Sequence, residues 1–292
     1  MNVAELPNRR NEAWKYSDLR AALVDAAPPM AGDGTVIERL AHGAGAFDHR
    51  VIAAGERDVF VDYLDGDGLL ARGELIEVGA GGVYHRIVLQ TPGEIPLASS
   101  RVRLAEGASF RQFIIGEGGK LARVETIVEA AGAGTEIELN GIYLAGPGRH
   151  IDLTSTIELR APGGRARQLI KGVARKGGRG VFQGKIVVEP GAQKTDARQH
   201  HHGLLLEEGA EIFAKPELMI HADDVQCAHG NTAGGLDERA LFYMRSRGIP
   251  EAEARALLIE AFLLDVVPDW TPPDVKDEVV ARVRAWLAGG RP

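Results

Sequence analysis

Cysteine is nearly absent from this sequence: Cys227 is the single one among 292 residues, so no internal disulfide can form. No apolar run approaches the ~20 residues that a membrane-spanning helix needs. The first twenty residues carry charges of both signs and do not resemble a secretory signal. A formal net charge of −7 argues against a general nucleic-acid binder. We therefore expect a cytoplasmic globular protein that binds neither nucleic acid nor membranes.

Motifs of common catalytic and nucleotide-binding sites are also missing. The segment 116–120, Gly-Glu-Gly-Gly-Lys, lacks the first glycine of a phosphate-binding loop at the required distance and is followed by Leu121. No Gly-x-Gly-x-x-Gly follows a strand pattern, and no Gly-x-Ser-x-Gly elbow occurs. We therefore expect a chain that is not an enzyme and that neither binds nor hydrolyses ATP.

Runs of strand length recur along the middle of the chain. Many are rich in β-branched residues and alternate between apolar and polar positions, as half-buried strands require. The runs cover residues 110–115, 123–129, 135–144, 151–159, 167–173, 180–188 and 203–206. Helical periodicity is hard to find between about residues 98 and 235. The sequence therefore predicts a mainly β fold.

The glycine-containing breaks between these runs repeat at a nearly constant interval. Separations of 27, 29 and 28 residues relate Gly107, Gly134, Gly163 and Gly191. A period of this length predicts stacked supersecondary units, as in a parallel β-helix, and a sandwich of ordinary hairpins is the alternative. The next step, from Gly191 to Gly209, is only 18 residues. Either one coil is shortened or Gly209 is not equivalent to the other glycines.

A short helix is predicted near the N-terminus. Ser17 is a candidate cap for a helix that begins at Asp18. The apolar stripe of that helix consists of Leu19, Leu23 and Val24.

Three helices are predicted at the C-terminal end. Asp237 is a suitable N-cap for the first, and Gly248 stands where a left-handed residue ends it. Pro250 opens the second helix, and Pro272-Pro273 opens the third. They suit two roles, a cap over the end of a β-helix and a docking surface for a partner. The three helices cover residues 238–247, 251–267 and about 273–288.

The chain is predicted to have three parts. They are an N-terminal helical segment (1–30), a β-helix core (31–235) and a C-terminal helical domain (236–292).

The lone cysteine stands two residues before a histidine. On a strand, residues i and i+2 point to the same face, so Cys227 and His229 would present a thiol and an imidazole side by side. These two donors make half of a site for a soft metal. The alternative is a buried structural cysteine beside a hydrogen-bonded histidine, because free cysteine is among the most buried residue types.

Three consecutive histidines form the second group of candidate metal ligands. On a strand, His200 and His202 would share one face. They precede Cys227 and His229 by 27 residues, which is about one interval of the glycine repeat. If the coils are in register, two layers stack into a His/His/Cys/His metal site. Otherwise the triplet is a solvated loop.

Parts of the sequence resemble the SufB/SufD family, whose members are scaffold subunits of the Suf iron–sulfur cluster assembly machine. The resemblance to the family's C-terminal core lies in residues 194–197, 215–218, 222–232, 235–237 and 240–249. Near the N-terminus, Trp14-Lys15-Tyr16 is similar to the family's Trp-Lys-Tyr signature. The single cysteine indicates the SufD branch, because SufB-type members usually carry several.

The resemblance implies a right-handed parallel β-helix core and a non-catalytic role. It also implies two partners, a SufB-like scaffold subunit and a SufC-like ABC-type ATPase that docks on the C-terminal helices. An iron–sulfur cluster or iron would be held at a site shared with the SufB-like subunit, to which Cys227 and His229 contribute. Reduced flavin is implied as the electron source of the whole complex. The isolated chain is a candidate homodimer.

Two other functional classes remain open. A β-helical enzyme that acts on polysaccharide needs clustered acids and bases on one face and normally a secretory signal, and the sequence shows neither. The second is a self-associating β-helical protein that binds metal or has a structural role independent of the Suf system.

Overall fold

Two parallel β-sheets wind around a common interior in the computed structural model, which describes residues 6–23 and 29–289. Each sheet has seven strands in this part of the chain: the odd-numbered strands form one sheet and the even-numbered strands form the other. Each strand pairs in parallel with the strand two places away. This arrangement is a β-solenoid, so the prediction of a mainly β fold with a parallel β-helix core is confirmed.

The solenoid is flanked by helices at both ends of the sequence. The strands are β1 Phe47–Ile52, β2 Arg57–Leu64, β3 Leu69–Val78, β4 Val83–Gln90, β5 Ile95–Leu104, β6 Ser109–Gly116, β7 Ala122–Ala130, β8 Glu136–Ala145, β9 His150–Leu159, β10 Arg165–Ala174, β11 Arg179–Val188, β12 Asp196–Leu205, β13 Glu211–Ile220 and β14 Gln226–Gly234. The helices are α1 Leu19–Ala22, α2 Val36–Gly43, α3 Glu238–Ser246, α4 Glu251–Leu264 and α5 Pro273–Leu287. None of the described helices has the length and apolar character needed to cross a membrane.

The predicted strands agree with β6 to β11 to within two residues at each end. The run predicted at 203–206 is too short, because β12 begins at Asp196 and includes the histidine triplet. Strands β1 to β5 match none of the predicted runs. Charged residues such as Arg72, Glu74 and Arg86 interrupt the apolar pattern there.

One turn of each coil is built around a residue with a left-handed backbone conformation. The φ angles of Gly107, Gly134 and Gly163 are 65°, 66° and 72°, and each backbone N–H donates to a carbonyl of the next coil. Lys194, at φ 62°, continues this series and is the one non-glycine residue with positive φ in the described ranges. The fourth member of the series is therefore Lys194 and not Gly191.

The short interval before Gly209 has a structural cause. Gly209 lies in the opposite turn of the coil, where its carbonyl accepts a hydrogen bond of 2.9 Å from the N–H of Gly177. Of the two alternatives, Gly209 is therefore the non-equivalent glycine. The coils lengthen along the chain, because Arg86 stands 26 residues before its register partner, whereas Gln168 stands 31 residues before its own.

The N-terminal segment packs on the outer face of the odd-numbered sheet. The hydroxyl of the fully buried Ser17 donates to Asp152 at 2.6 Å and lies 2.9 Å from Nε2 of His150. The carboxylate of Asp18 caps α1. The prediction that Ser17 caps this helix is therefore wrong, because its hydroxyl is already bonded to the sheet. Val24 of the predicted stripe lies outside the described residues.

Helix α2 is absent from the sequence-based prediction. Thr35 and Glu38 form a capping box at its start, a pattern that the sequence does contain. The buried carboxylate of Glu38 also pairs with the guanidinium of Arg101 on β5. Helix α2 is therefore attached to the odd-numbered sheet close to the N-terminal segment.

The three predicted C-terminal helices are present, with small differences at their ends. Asp237 caps α3, and Gly248 adopts a left-handed conformation with φ 87°, both as predicted. Helix α4 ends at Leu264 rather than at residue 267, and α5 begins at Pro273.

Helices α4 and α5 lie along the outer face of the even-numbered sheet. An ion pair of 2.5 Å joins Lys171 of β10 to Asp265 at the end of α4. Of the two predicted roles, the end cap is wrong: the helices cover a side of the solenoid, and most of β14 stays exposed. The buried residues shared by sheet and helices are Ile87, Leu89, Phe113, Ile115, Ile142, Leu144 and Val173 from the strands, with Ile259, Leu263, Val266, Val275, Val279, Val283 and Trp286 from the C-terminal region.

Replacing Lys194 by glycine should stabilise the chain by about 1 kcal/mol, because a left-handed conformation is unfavourable for a residue with a Cβ. The exposed ion pair with Asp224 that the change removes contributes little. The matched control is Gly163→Ala in the equivalent turn one coil earlier, which should destabilise the chain by a similar amount. Chemical denaturation measures both, and a less stable Lys194→Gly chain would contradict the equivalence of the turns.

Candidate metal-ligand site

Cys227 and His229 lie on the last strand of the even-numbered sheet. Within the described residues, β14 pairs with β12 on one side and with no strand on the other. The register places Cys227 beside Ala197 and His229 beside Gln199. Ala197 and Gln199 are fully buried in the interior. Cys227 and His229 therefore belong to the interior-facing side of β14, at the open end of the solenoid.

The two donors differ in their surroundings. Cys227 is partly buried and packs against the apolar cluster of the interior. Burial raises the pKa of its thiol, and a hydrogen bond with the backbone of Ala197 acts in the opposite direction. His229, farther along the strand, is exposed. Metal binding at this place therefore has to displace the thiol proton, whereas the imidazole is accessible at the rim.

The predicted stack of histidines on Cys227 and His229 is wrong. Positions on β12 pair with positions 30 residues later on β14, so His200 lies beside Gly230. His200 and His202 face outward on β12, whereas Cys227 and His229 face inward on β14. A 27-residue register would have paired inward-facing positions of one strand with outward-facing positions of the other. Apolar side chains would then be exposed, so this register is unfavourable.

His201 is the member of the triplet that points into the interior. It is fully buried, with Nε2 2.9 Å from the hydroxyl of Tyr143 and Nδ1 2.6 Å from Oδ1 of Asn231. Its ring stacks on Phe182, with the centroids 5.2 Å apart. Burial lowers the pKa of His201 to about 4. His201 is therefore a neutral, hydrogen-bonded core residue.

His200 and His202 form a pair on the outer face of the even-numbered sheet. Their rings are nearly parallel, at 11°, and the centroids are 6.3 Å apart. Nδ1 of His202 lies 2.7 Å from the hydroxyl of Thr232, which leaves Nε2 for another partner. Burial lowers the pKa of His202, and the charge of Lys171 acts in the same direction. A neutral imidazole is the form that binds metals.

Each of these two places offers two metal donors. In the described parts of the chain, no group of three or more His, Cys, Asp or Glu side chains is arranged to hold a metal ion. An iron–sulfur cluster takes four protein ligands. The donor set of Cys227 and His229 therefore fits such a cluster only when another chain supplies further ligands.

The N-terminal segment contacts β13, the last strand of the odd-numbered sheet. The ring of Tyr16 stacks on Phe213, with the centroids 5.2 Å apart, and Lys215 pairs with Glu12 at 2.5 Å. The guanidinium of Arg123 lies 4.3 Å from the ring of Trp14. The Trp-Lys-Tyr segment therefore packs on the odd-numbered sheet from its outer side, and no described strand pairs with the far edge of β13.

Helix α3 carries an exposed aromatic pair that is not among the predicted site residues. Phe242 is 73% exposed and Tyr243 is 59% exposed, whereas the preceding Leu241 is buried. Large exposed aromatic side chains on a packed helix are typical of interaction surfaces. Helical periodicity could have predicted this exposure. Successive residues are rotated by ~100° around a helix, so Phe242 and Tyr243 point away from the face of the buried Leu241.

The sequence is similar to proteins of one family. Residues 44–262 match the family model described as SUF system FeS cluster assembly, SufBD core domain. The iron–sulfur cluster assembly protein SufD of Escherichia coli is 32% identical over 205 residues, which cover 70% of this chain and 48% of that protein. A SufBD family protein of Mycobacterium leprae is 28% identical over 95% of this chain and 75% of its own length. Protein ABCI7, chloroplastic, of Arabidopsis thaliana is 36% identical over 64% of this chain and 39% of its own.

Proposed function

The chain belongs to the SufB/SufD family of iron–sulfur cluster assembly proteins and is SufD-like, and from this premise we propose that it is a non-catalytic scaffold subunit. It pairs with a SufB-like subunit at the open end of the solenoid, and an iron–sulfur cluster or its iron is the cargo assembled between them. The observation that carries the proposal is the pair of inward-facing donors, Cys227 and His229, on an uncovered edge strand.

The uncovered edges of β13 and β14 support pairing with another chain. An edge strand presents unpaired backbone N–H and C=O groups, to which a strand of a partner can add. Met219 and Ile220 of β13 are each 43% exposed, so this end also offers apolar surface. A second solenoid docked there would satisfy the backbone groups and bury the apolar side chains. The same edge would serve a homodimer in the absence of the SufB-like subunit.

The donor types suit a cluster that is later passed on. Thiolates hold most iron–sulfur clusters, and histidine replaces them in some centres. Imidazole is neutral and holds iron less tightly than thiolate, so His229 favours release of the cargo. Cys227 becomes a thiolate when iron displaces its proton. The remaining ligands come from the SufB-like subunit.

The proposed C-terminal helical domain, residues 236–292, is the docking place for a SufC-like ABC-type ATPase. Phe242 and Tyr243 on α3 are the exposed anchors, and aromatic residues dominate the energetics of many interfaces. Helix α4 joins this surface to the sheet through the ion pair of Asp265 with Lys171 on β10, two strands from β14 in sheet order. Movement of the helices on ATP hydrolysis by the partner would therefore reach the edge that carries the ligands.

Electrons for cluster assembly come from outside this chain in our proposal. We assign reduced flavin to the complex as a whole and no residue of this chain to its binding. The complex works in the cytoplasm, and its assembly requires neither nucleic acid nor a membrane.

The alternative function is that of a self-associating β-helical metal-binding protein independent of the Suf system. The observation in its favour is the outward pair of His200 and His202, with parallel rings and an available Nε2 on His202. Two neutral imidazoles on one strand face can chelate Zn²⁺ or Fe²⁺ while water completes the coordination. We propose that this pair binds such ions weakly, separately from the shared site.

The variant His229→Ala should leave fold and complex assembly intact and lower the cluster content of the co-expressed complex by at least the ~10-fold that loss of a hydrogen-bond partner of a metal ligand causes. The exposed ring leaves no buried cavity when it is removed. Cys227→Ala should cause a comparable loss if the thiolate is a ligand and a smaller one if it only guides iron. Iron–sulfur absorbance and labile sulfide give the readout, with subunit ratios measured on the same sample. His221→Ala removes another exposed histidine and is the control; wild-type cluster content in an intact His229→Ala complex would contradict the ligand role.

The double variant Phe242→Ala, Tyr243→Ala should weaken binding of the SufC-like ATPase by ~2 kcal/mol or more, the scale of interface hot spots. Both side chains are exposed, so the fold should persist. Removing everything after Gly248 is a poorer test, because it uncovers the apolar face that α4 and α5 cover. Calorimetry measures the affinity, with Val51→Ala, an exposed apolar position on β1, as the control. Unchanged affinity in the double variant would exclude this docking surface.

The double variant His200→Ala, His202→Ala should reduce Zn²⁺ binding by the isolated chain, because it removes both imidazoles of the outer pair. His229→Ala, on the opposite face of the sheet, should leave this component of binding in place. Isothermal titration measures both. Equal Zn²⁺ affinity in the double variant and the wild type would show that the outer pair is only a solvated surface.

A further inference from the structure

A row of mostly polar side chains runs through the interior of the solenoid along the even-numbered sheet. The register places side by side, on successive strands, Arg86, Gln112, Leu139, Gln168, Gln199 and His229. Before His229, every member is at most 4% exposed. Buried amides cost free energy unless they are hydrogen-bonded, so their partners define what the row can do. The row ends at the ligand proposed above.

The last two amides of this row point in one direction. Nε2 of Gln199 donates to Oε1 of Gln168 at 3.0 Å, and Nε2 of Gln168 donates to the hydroxyl of Ser155 at 2.7 Å. Each amide N–H therefore donates to a side chain that precedes it in the sequence. Aligned amides of this kind polarise one another. At Gln199, the carbonyl oxygen remains to accept a hydrogen bond.

The oxygen Oε1 of Gln199 is a buried acceptor without a hydrogen-bond partner among the described residues. Gly184 on the facing sheet makes room for this amide, because a Cβ at that position would lie 1.6 Å from Nε2 of Gln199. The amide is therefore seated across the interior in a position that a larger residue at 184 would prevent. The register partner of Gln199 on β14 is His229, whose ring has an N–H group that can donate to such an acceptor.

We propose that Gln199 is a positioning residue for His229, an inference that rests on the proposed function of His229 as a ligand. The N–H of one ring nitrogen of His229 donates to Oε1 of Gln199. Paired strands lie ~4.8 Å apart, so rotation of the His229 ring brings the nitrogen and the oxygen within hydrogen-bond distance. The other ring nitrogen then carries the lone pair and faces the open end of the solenoid.

This hydrogen bond would select one of the two tautomers of neutral imidazole. A histidine ligand that donates its second N–H to a fixed acceptor is held in one tautomer and one orientation. Loss of such an acceptor typically lowers metal affinity or activity by ~10- to 100-fold. Gln199 therefore prepares His229 before the partner and the cargo arrive.

The tautomer of His229 in the full chain, labelled with ¹⁵N-histidine, tests this inference. In the wild type, the two ring ¹⁵N shifts of His229 should lie far apart, as in a single neutral tautomer. Gln199→Met preserves side-chain size and removes the acceptor, so the two shifts should converge towards their mean. The resonances of His229 are identified by their loss in His229→Ala.

Matched substitutions keep the test decisive. Gln112→Met makes the same change in the same row four strands before β14 and should leave the shifts of His229 unchanged. If Gln199→Met does not fold, Gln199→Glu keeps an acceptor and should retain a single tautomer with the ring N–H proton moved downfield. Unchanged His229 shifts in a folded Gln199→Met chain, or an unchanged ring proton in Gln199→Glu, would overturn the inference.

Cluster content of the co-expressed complex separates this inference from the proposed function. Gln199→Met should lower it by ~10-fold. If His229→Ala keeps wild-type cluster content while Gln199→Met still mixes the tautomers, the ligand role fails and the positioning role stands. If His229→Ala loses the cluster while Gln199→Met changes neither tautomer nor content, the positioning role fails and the ligand role stands.

Discussion

Parallel stacking of the coils is the constraint on which the rest of this structure depends. Side chains alternate between the two faces of a strand, so each strand has to pair in the register that keeps apolar residues inside. In the even-numbered sheet this rule aligns Phe110, Ile137 and Ala166, which are all buried. The same register continues to the last coil, which no further strand covers in the part of the chain that the structure describes. There it brings Cys227 and His229 to the rim of the interior.

Among the described residues, the N-terminal segment and the C-terminal helices cover the sides of the solenoid, and the edge strands β13 and β14 stay uncovered. The segment around Ser17 packs on the odd-numbered sheet, and α4 and α5 pack on the even-numbered one. The edges of β13 and β14 keep unpaired backbone groups and exposed side chains. The metal donors lie at this same edge. Subunit pairing and completion of the ligand set are therefore one event in our account, which explains how a chain with one cysteine can take part in cluster assembly.

Local signals in the sequence predicted strands β6 to β11 and the three C-terminal helices, but they missed β1 to β5 and α2. Contacts between distant segments could not be predicted from local signals at all. Alternation predicted β6 to β11, Asp237 predicted the start of α3, and the spacing of Cys227 and His229 predicted their common strand face. The interval between register partners is 26 residues between β2 and β4, 32 between β11 and β13 and 30 between β12 and β14, so a fixed period could not give the pairing of the histidines. Lys194 occupies the turn position at which the earlier coils have glycine, so a search for glycine alone assigned this position to Gly191. The hydrogen bonds of Ser17 and the buried acceptor on Gln199 depend on contacts between residues far apart in the sequence, and no local sequence pattern predicts such contacts.

In our proposal, an imidazole of this chain binds the cluster held between two subunits. The most direct measurement is pulsed electron paramagnetic resonance of the reduced cluster in a complex in which only this chain carries ¹⁵N-histidine. We expect a nitrogen hyperfine coupling that changes with the label on this chain and disappears in His229→Ala. A cluster signal in the intact complex without any nitrogen coupling that follows this label would contradict it.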